Sequence, residues 1–182
     1  MAYILFFLAP KAKIQDTFLS CEPDSEATQD LVDNLNVLKK IFRDINFKFN
    51  FEPIGDGKHV IKNSTIYGHP VFSSKKNVNN NLEDNTKILK STALDELVKK
   101  NKISPTFIKI DVEGAEYNIL EGMTNILATY KPLIMIEKHP TLIPKHISIS
   151  HIDNFLIKKG YKLQTEIYKD DVAITEIWKN YN

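Results

Sequence analysis

The sequence predicts an α/β fold built on a mostly parallel β-sheet with an antiparallel edge at its C-terminal end. Segments typical of strands and helices alternate through the middle of the chain, as in folds that pack helices on a parallel sheet. The run TFIKIDV at 106–112 is largely apolar, as expected of a strand that is buried on both faces. Two more strand-like segments lie between Tyr161 and Trp178, around Lys169–Asp171, and predict an antiparallel pair.

Composition indicates one folded domain over 1–182. Hydrophobic residues make up 42% and charged residues 26% of the chain, which is ordinary globular usage. The net charge is +1, so no strong field favours nucleic acid as a partner. Cys21 is the single cysteine, which excludes a disulfide framework and suits a reducing cytoplasm. The apolar run at 2–9 has no preceding basic residue and is too short to span a membrane, so we expect neither a signal peptide nor a membrane span.

The first elements follow from local patterns. Thr17–Cys21 is apolar and β-branched and predicts a buried strand. A helix follows, capped by Asp24 or Ser25. Its apolar face is formed by residues spaced three and four apart, namely Leu31, Leu35, Leu38, Ile41 and Phe42. A second strand is expected over 47–54, before a glycine turn at 55–57.

The remaining elements are predicted in the same way. Residues 58–90 are rich in Asn and Lys and indicate an irregular, hairpin-like excursion with a mobile loop at 75–85. The later patterns predict helices at 93–101, 115–130 and 151–159 and a strand at 133–136. The helix at 115–130 has an apolar face formed by Ile119, Leu120, Met123, Ile126 and Leu127.

An acidic residue follows each strand of the predicted parallel set. These residues are Glu22, Asp56, Asp111 and Glu137. Open parallel sheets bind ligands at the carboxyl ends of their strands. The shared placement therefore predicts a ligand site at this edge of the sheet.

Local chemistry leaves two interpretations for several of these acids. Glu22 suits the hydroxyls of a ribose, but it also favours the positive end of the next helix. Asp56 fits a ligand contact or ordinary turn chemistry. Glu113 and Glu116 lie around the first turn of the helix after Asp111, where capping electrostatics explains them equally well.

Glu137 and His139 share a face if the strand continues through them. A histidine beside carboxylates suits a general base whose pKa is raised, or a metal ligand. No histidine pair has helical i, i+4 spacing, so the sequence predicts no metal.

Two segments carry a family resemblance. FIKIDVEGAEYNILEGMTNIL at 107–127 and KPLIMIEKHP at 131–140 resemble the signature of the FkbM family of S-adenosylmethionine-dependent methyltransferases. FLSCEPDSEATQDLVDNLNV at 18–37 and TALDEL at 92–97 are similar to upstream parts of that family. The resemblance covers most of residues 3–140, with 58–90 poorly matched.

The resemblance implies a Rossmann-like class I methyltransferase sheet, S-adenosylmethionine as cofactor, and a hydroxyl acceptor on a sugar or small metabolite. It assigns Glu22 to the ribose of the cofactor and Asp56 to the adenine. It places four residues around the methyl-transfer centre, namely Asp111, Glu113, Glu137 and His139.

One family feature is missing. Family members begin with a strand and a glycine turn of the kind D-x-G-A-N-x-G, whereas the first glycine here is Gly55. The resemblance therefore predicts an N-terminally incomplete sheet, with Met1 as an internal start of a longer gene product or the start of a degenerate member. Unpaired strand edges in such a sheet favour a homo-oligomer.

Three functions follow from these observations. The first is an O-methyltransferase with His139 as the favoured base, Asp111 as the second, and a small-molecule or carbohydrate acceptor. The second is a non-catalytic protein of the same fold that acts as a binding or partner subunit. The third, an acid-lined hydrolase with a metal, ranks last because no nucleophile elbow is present.

Overall fold

The structure is a computed structural model that describes residues 16–23, 25–58, 60–63, 65–66, 69–70 and 87–181. Its contacts divide the chain into two compact units, 1–53 and 54–182. The predicted cap Asp24 and the predicted loop at 75–85 lie outside the described residues. The extent of a single domain over 1–182 stays a prediction.

The first unit contains strand β1 (Thr17–Cys21), helix α1 (Ser25–Ile41) and strand β2 (Asn46–Asn50). The two strands pair in parallel. The helix packs its predicted apolar face against Phe47 of β2 through Leu31, Leu35 and Leu38. The prediction is wrong for Ile41, the last residue of the helix, which is 58% exposed. Strand β2 is also shorter than predicted. It ends at Asn50, whose side-chain amide donates to the Glu52 carbonyl at 2.8 Å.

The second unit begins with short strands. They are β3 (Ile54–Gly55), β4 (Val60–Asn63), β5 (Thr65–Ile66), β6 (His69–Pro70), β7 (Lys87–Lys90) and β8 (Thr92–Ala93). Strand β3 pairs in parallel with β8. Strands β4 and β7 pair antiparallel, as do β5 and β6. The excursion over 58–90 therefore contains hairpin-like pairing in the part that the structure describes.

The rest of the unit alternates helices and strands. The elements are α2 (Leu94–Asn101), β9 (Phe107–Asp111), α3 (Glu116–Glu121), α4 (Thr124–Thr129), β10 (Leu133–Lys138), α5 (Ile149–Lys158), β11 (Tyr161–Lys169) and β12 (Ile174–Asn180). Four of these strands form one sheet in the order β11-β12-β10-β9. The antiparallel C-terminal edge is confirmed by β11 and β12. The mostly parallel character is confirmed only in part, because β10 is parallel to β9 and antiparallel to β12.

The predicted helix over 115–130 is wrong, since the chain forms two helices, α3 and α4. Gly122 separates them and lies so close to the backbone carbonyl of Gly55 that a Cβ there would overlap it. The Gly122 carbonyl accepts a hydrogen bond from the Asp95 N–H at 2.9 Å. The Asp95 carboxylate in turn accepts from the N–H groups of Asn125 and Ile126, both at 2.9 Å. The break therefore follows from contacts with β3 and α2, distant in sequence.

Strand β10 extends two residues beyond its predicted end, to Lys138. The Lys138 ammonium is fully buried and pairs with Glu176 Oε2 at 2.7 Å and Asp153 Oδ1 at 2.8 Å. Trp178 Nε1 donates to the same Glu176 oxygen at 2.7 Å. Because side chains alternate along a strand, this network lies on the face of β10 opposite to Glu137.

Among the described residues, none of the helices combines the length and the apolar character that crossing a bilayer would require.

Candidate functional site

The site lies where β9 and β10 end side by side. In their parallel register Asp111 is directly opposite Glu137. His139 follows β10 by one residue and therefore returns to the same face as Glu137. The structure thus brings Asp111, Glu137 and His139 together, as the alternation of the sequence predicts.

A tight turn after β9 adds two more acids. Glu113 has a φ of 52° and Gly114 a φ of 98°, so two successive residues adopt left-handed conformations. Such values are uncommon for a residue other than glycine. At Gly114 a Cβ would also overlap the carbonyl group of Leu142. The turn thereby directs the chain from β9 into α3 and carries Glu113 and Glu116 to His139.

Glu116 and His139 form a buried pair. The Glu116 side chain is fully buried and His139 is 4% exposed. Glu116 Oε1 lies 2.8 Å from His139 Nδ1 and also accepts the N–H of Gly114 at 3.0 Å. Because an ionised carboxylate only accepts hydrogen bonds, Nδ1 is the donor. In the neutral ring, Nε2 is then the unprotonated nitrogen.

The other ring nitrogen faces three carboxylates. His139 Nε2 lies 3.6 Å from Glu113 Oε2, 3.7 Å from Glu137 Oε1 and 3.8 Å from Asp111 Oδ1. These are ion-pair distances, longer than hydrogen bonds. The hydrogen bond to Glu116 raises the pKa of His139 above its ordinary value, burial opposes this, and the charges of Glu113, Glu116 and Asp111 raise the pKa further. The His139 ring therefore binds a proton more readily than an ordinary histidine does.

Lys109 balances part of this negative charge. Its ammonium lies 2.7 Å from Asp111 Oδ2. The two residues are two apart on β9 and so project from the same face. One Asp111 oxygen is thereby paired with a cation, while the other faces His139.

Asp111, Glu137 and His139 also have a spacing suited to a cation. Each offers one ligand atom, and these atoms lie within 4.8 Å of one another. The ligands come from the ends of two strands, so the histidine spacing examined in the sequence could not reveal the group. The absence of a metal stays a prediction.

The two remaining predicted residues make local contacts. Glu22 follows β1 in the first unit, where its N–H donates to the Asn50 carbonyl at 3.0 Å. Asp56 follows β3, and its Oδ1 accepts the N–H of Lys58 at 2.8 Å. This contact is the turn chemistry that the sequence offered as one interpretation of Asp56.

Glu116 is a residue of the cluster that the predicted site set omits, and it contacts His139. It makes a contact of the capping type that the sequence offered as one interpretation, since its Oε1 accepts the Gly114 N–H, but it does so as a fully buried side chain. A signal was present in the sequence, because Glu116 precedes Ile119, Leu120 and Met123 by three, four and seven residues. That spacing puts a carboxylate on the apolar face of the helix.

The chain is similar to known methyltransferases in three comparisons. A profile of the family described as methyltransferase FkbM domain matches residues 2–163. The hexuronic acid methyltransferase AglP of Haloferax volcanii is 34% identical over 82 residues, which are 44% of this chain and 31% of that protein. The crystal structure of methyltransferase FkbM from Methylobacillus flagellatus KT matches with a TM-score of 0.61 and 16% identity.

The structural match covers 97% of this chain and 40% of that one. At this identity it shows the fold alone. The chain therefore spans less than half the length of either protein. The profile, in contrast, covers nearly all of the chain, from residue 2 to residue 163. With the acid cluster at the ends of β9 and β10, this match establishes that the chain belongs to the methyltransferase FkbM domain family.

Proposed function

We propose that this chain carries out S-adenosylmethionine-dependent methyl transfer to a hydroxyl group of a sugar or small metabolite. The observation that carries the proposal is the convergence of Glu113, Glu137 and Asp111 on His139 Nε2. It lies at the carboxyl ends of two parallel strands, where α/β folds bind ligands. Family membership and the name of the Haloferax volcanii relative support a methyl transfer to a carbohydrate.

The carboxylates of the site suit such a cofactor. Carboxylates accept hydrogen bonds from ribose hydroxyls and attract a cationic sulfonium. We assign Glu22 to the ribose, Asp56 to the adenine, and Asp111 with Glu113 to the methionine end. When bound, the cofactor supplies an electrophilic methyl group on positively charged sulfur.

The protein's part in the reaction is to position the acceptor and take its proton. A hydroxyl group that accepts a methyl group would lose its proton in the same reaction. The hydroxyl proton passes to His139 Nε2, which the Glu116 contact leaves unprotonated in the neutral ring. Glu137 and Asp111, whose oxygens lie 3.7 and 3.8 Å from Nε2, stabilise the imidazolium that results.

Calorimetric titration with S-adenosylmethionine and its demethylated product tests the cofactor assignment. We expect saturable one-to-one binding that is lost in Glu22→Ala. Asp30→Ala is the matched control, because it removes an exposed acid from α1 of the same unit, and it should bind as wild type does.

Failure of the wild-type chain to bind at millimolar cofactor would contradict the proposal. It would favour the alternative of a non-catalytic binding or partner subunit. Equal binding by Glu22→Ala and wild type would remove Glu22 from the cofactor site and leave the rest of the proposal intact.

A further inference from the structure

Glu116 is an unusual residue for its place in the fold. It is a fully buried acid at the start of α3, on the helix face that also buries Ile119 and Leu120. Its Oε2 has no hydrogen-bond partner among the described residues. A buried carboxylate oxygen without a partner costs free energy. Packing alone therefore does not account for an acid at this position.

The other oxygen of the Glu116 carboxylate makes two hydrogen bonds. Oε1 accepts from the Gly114 backbone N–H at 3.0 Å and from His139 Nδ1 at 2.8 Å. Gly114 itself lies so close to the carbonyl group of Leu142 that a Cβ there would overlap it. The carboxylate is thus anchored to the turn after β9 and holds the imidazole at the end of β10.

The anchoring determines what His139 presents to the cluster. With Nδ1 donating to Glu116, the ring orientation directs Nε2 toward Glu113, Glu137 and Asp111 at 3.6, 3.7 and 3.8 Å. In the neutral ring it also leaves Nε2 as the basic atom. A ring free to rotate or to exchange tautomers would offer that atom only part of the time.

We propose that Glu116 is a positioning residue, which holds His139 with its basic Nε2 toward the acceptor and confines the proton of the neutral ring to Nδ1. The effect on turnover rests on the proposed function. The effect on the state of the ring does not, because it follows from the contact itself. The two parts can therefore be tested separately.

Nitrogen NMR of the imidazole rings in the full chain tests the contact without any substrate. The His139 signals are identified by their loss in His139→Gln, among the 5 histidines of the chain. In wild type we expect the neutral ring as the Nδ1–H tautomer, titrating above the ordinary value. The ring is faced by Glu116 from α3, Asp111 from β9, Glu113 from the turn and Glu137 from β10.

Glu116→Gln keeps the size of the side chain and removes its charge. We expect the titration midpoint of His139 to fall and the neutral ring to become a mixture of tautomers. Glu121→Gln is the matched control, because it removes an exposed acid from the same helix and should leave both properties unchanged. A wild-type midpoint and tautomer in Glu116→Gln would overturn the proposal.

Kinetics give the second readout. We expect Glu116→Gln to lower kcat by about tenfold or more, part of the 10²–10⁴-fold that a general base supplies, and to leave the KM for S-adenosylmethionine unchanged. Glu116→Asp, which restores the charge, should recover the raised midpoint in part. A higher KM with an unchanged kcat would show a structural role and contradict the proposal.

The outcomes separate the two proposals. If wild type binds no cofactor but Glu116→Gln alters the ring as expected, the proposed function fails and the pairing of Glu116 with His139 stands. If Glu116→Gln does not fold, the wild-type spectrum carries the ring measurement, because the proposal requires the Nδ1–H tautomer of the neutral ring there. A mixture of tautomers in wild type would then overturn the proposal.

Discussion

Gly114, in the turn between β9 and α3, offers a direct test of how the site is built. In Gly114→Ala the added Cβ would overlap the Leu142 carbonyl, and the residue would have to hold a φ of 98°. A left-handed conformation costs other residues about 1–2 kcal/mol. Relieving an overlap in a packed region costs about 1–3 kcal/mol. We therefore expect the free energy of unfolding to fall by about 2–5 kcal/mol.

Two other glycines separate these contributions. Gly57 has a φ of 75°, but its Cβ would lie 3.3 Å from the Cβ of Ala93, a tight contact that a small shift relieves. Gly57→Ala should therefore cost about 1–2 kcal/mol, the conformational part. Gly122 has an ordinary φ of −77°, but its Cβ would overlap Gly55. Gly122→Ala should cost about 3 kcal/mol or more, all of it from packing, because its Cβ would lie closer to the Gly55 oxygen than a Cβ at Gly114 would lie to the Leu142 oxygen.

Urea unfolding followed by tryptophan fluorescence measures all three variants. Trp178 is the single tryptophan, is buried in β12, and lies in the same unit as the three glycines. The loss in Gly114→Ala should exceed the loss in Gly57→Ala, whose added Cβ would lie 3.3 Å from the Cβ of Ala93. A Gly114→Ala variant within about 0.5 kcal/mol of wild type, the range of neutral surface changes, would refute the reasoning.

Three further predictions concern His139 and the carboxylates around it. The raised pKa of His139 means that turnover should increase as pH rises through a value above about 6.5, because the base must be neutral. The raised pKa of His139 also stabilises the fold, fully at a pH below the pKa of the unfolded chain and no longer at a pH above the pKa of the folded chain. The urea midpoint of wild type, measured relative to that of His139→Gln, should therefore fall as the pH rises between these two pKa values. A rise of the midpoint over the same range would contradict the prediction. The histidine spacing in the sequence predicts no metal. We thus expect turnover to persist in excess EDTA, and activity lost in EDTA but restored by Mg²⁺ would show that a cation is needed.

The parts of the site that could be predicted depend on neighbouring residues in the chain. Asp111 and Glu137 each end an apolar strand, and parallel neighbours bring such ends together whatever the details of packing. Strand alternation then places His139 beside Glu137. These relations need only the strand pattern, which the sequence shows clearly.

The parts that could not be predicted depend on contacts between distant residues. The break between α3 and α4 arises where Gly122 meets Gly55, and nothing in the local apolar pattern indicates it. The burial of Glu116 is hard to predict for a different reason. Acids are common in the first turn of a helix, so its position has an ordinary explanation besides the apolar face on which it lies.

The buried Lys138 network has a consequence for strand pairing. A slip of β10 by one residue would exchange its two faces. Lys138 would then leave Glu176 and Asp153, with which it now pairs, while the Glu137 carboxylate would enter the apolar layer beneath the sheet. Both changes are strongly unfavourable, because each leaves a buried charge without its counterpart. A lysine that takes no part in the chemistry thus specifies the alignment of β10, and with it the place where Glu137 and His139 meet the end of β9.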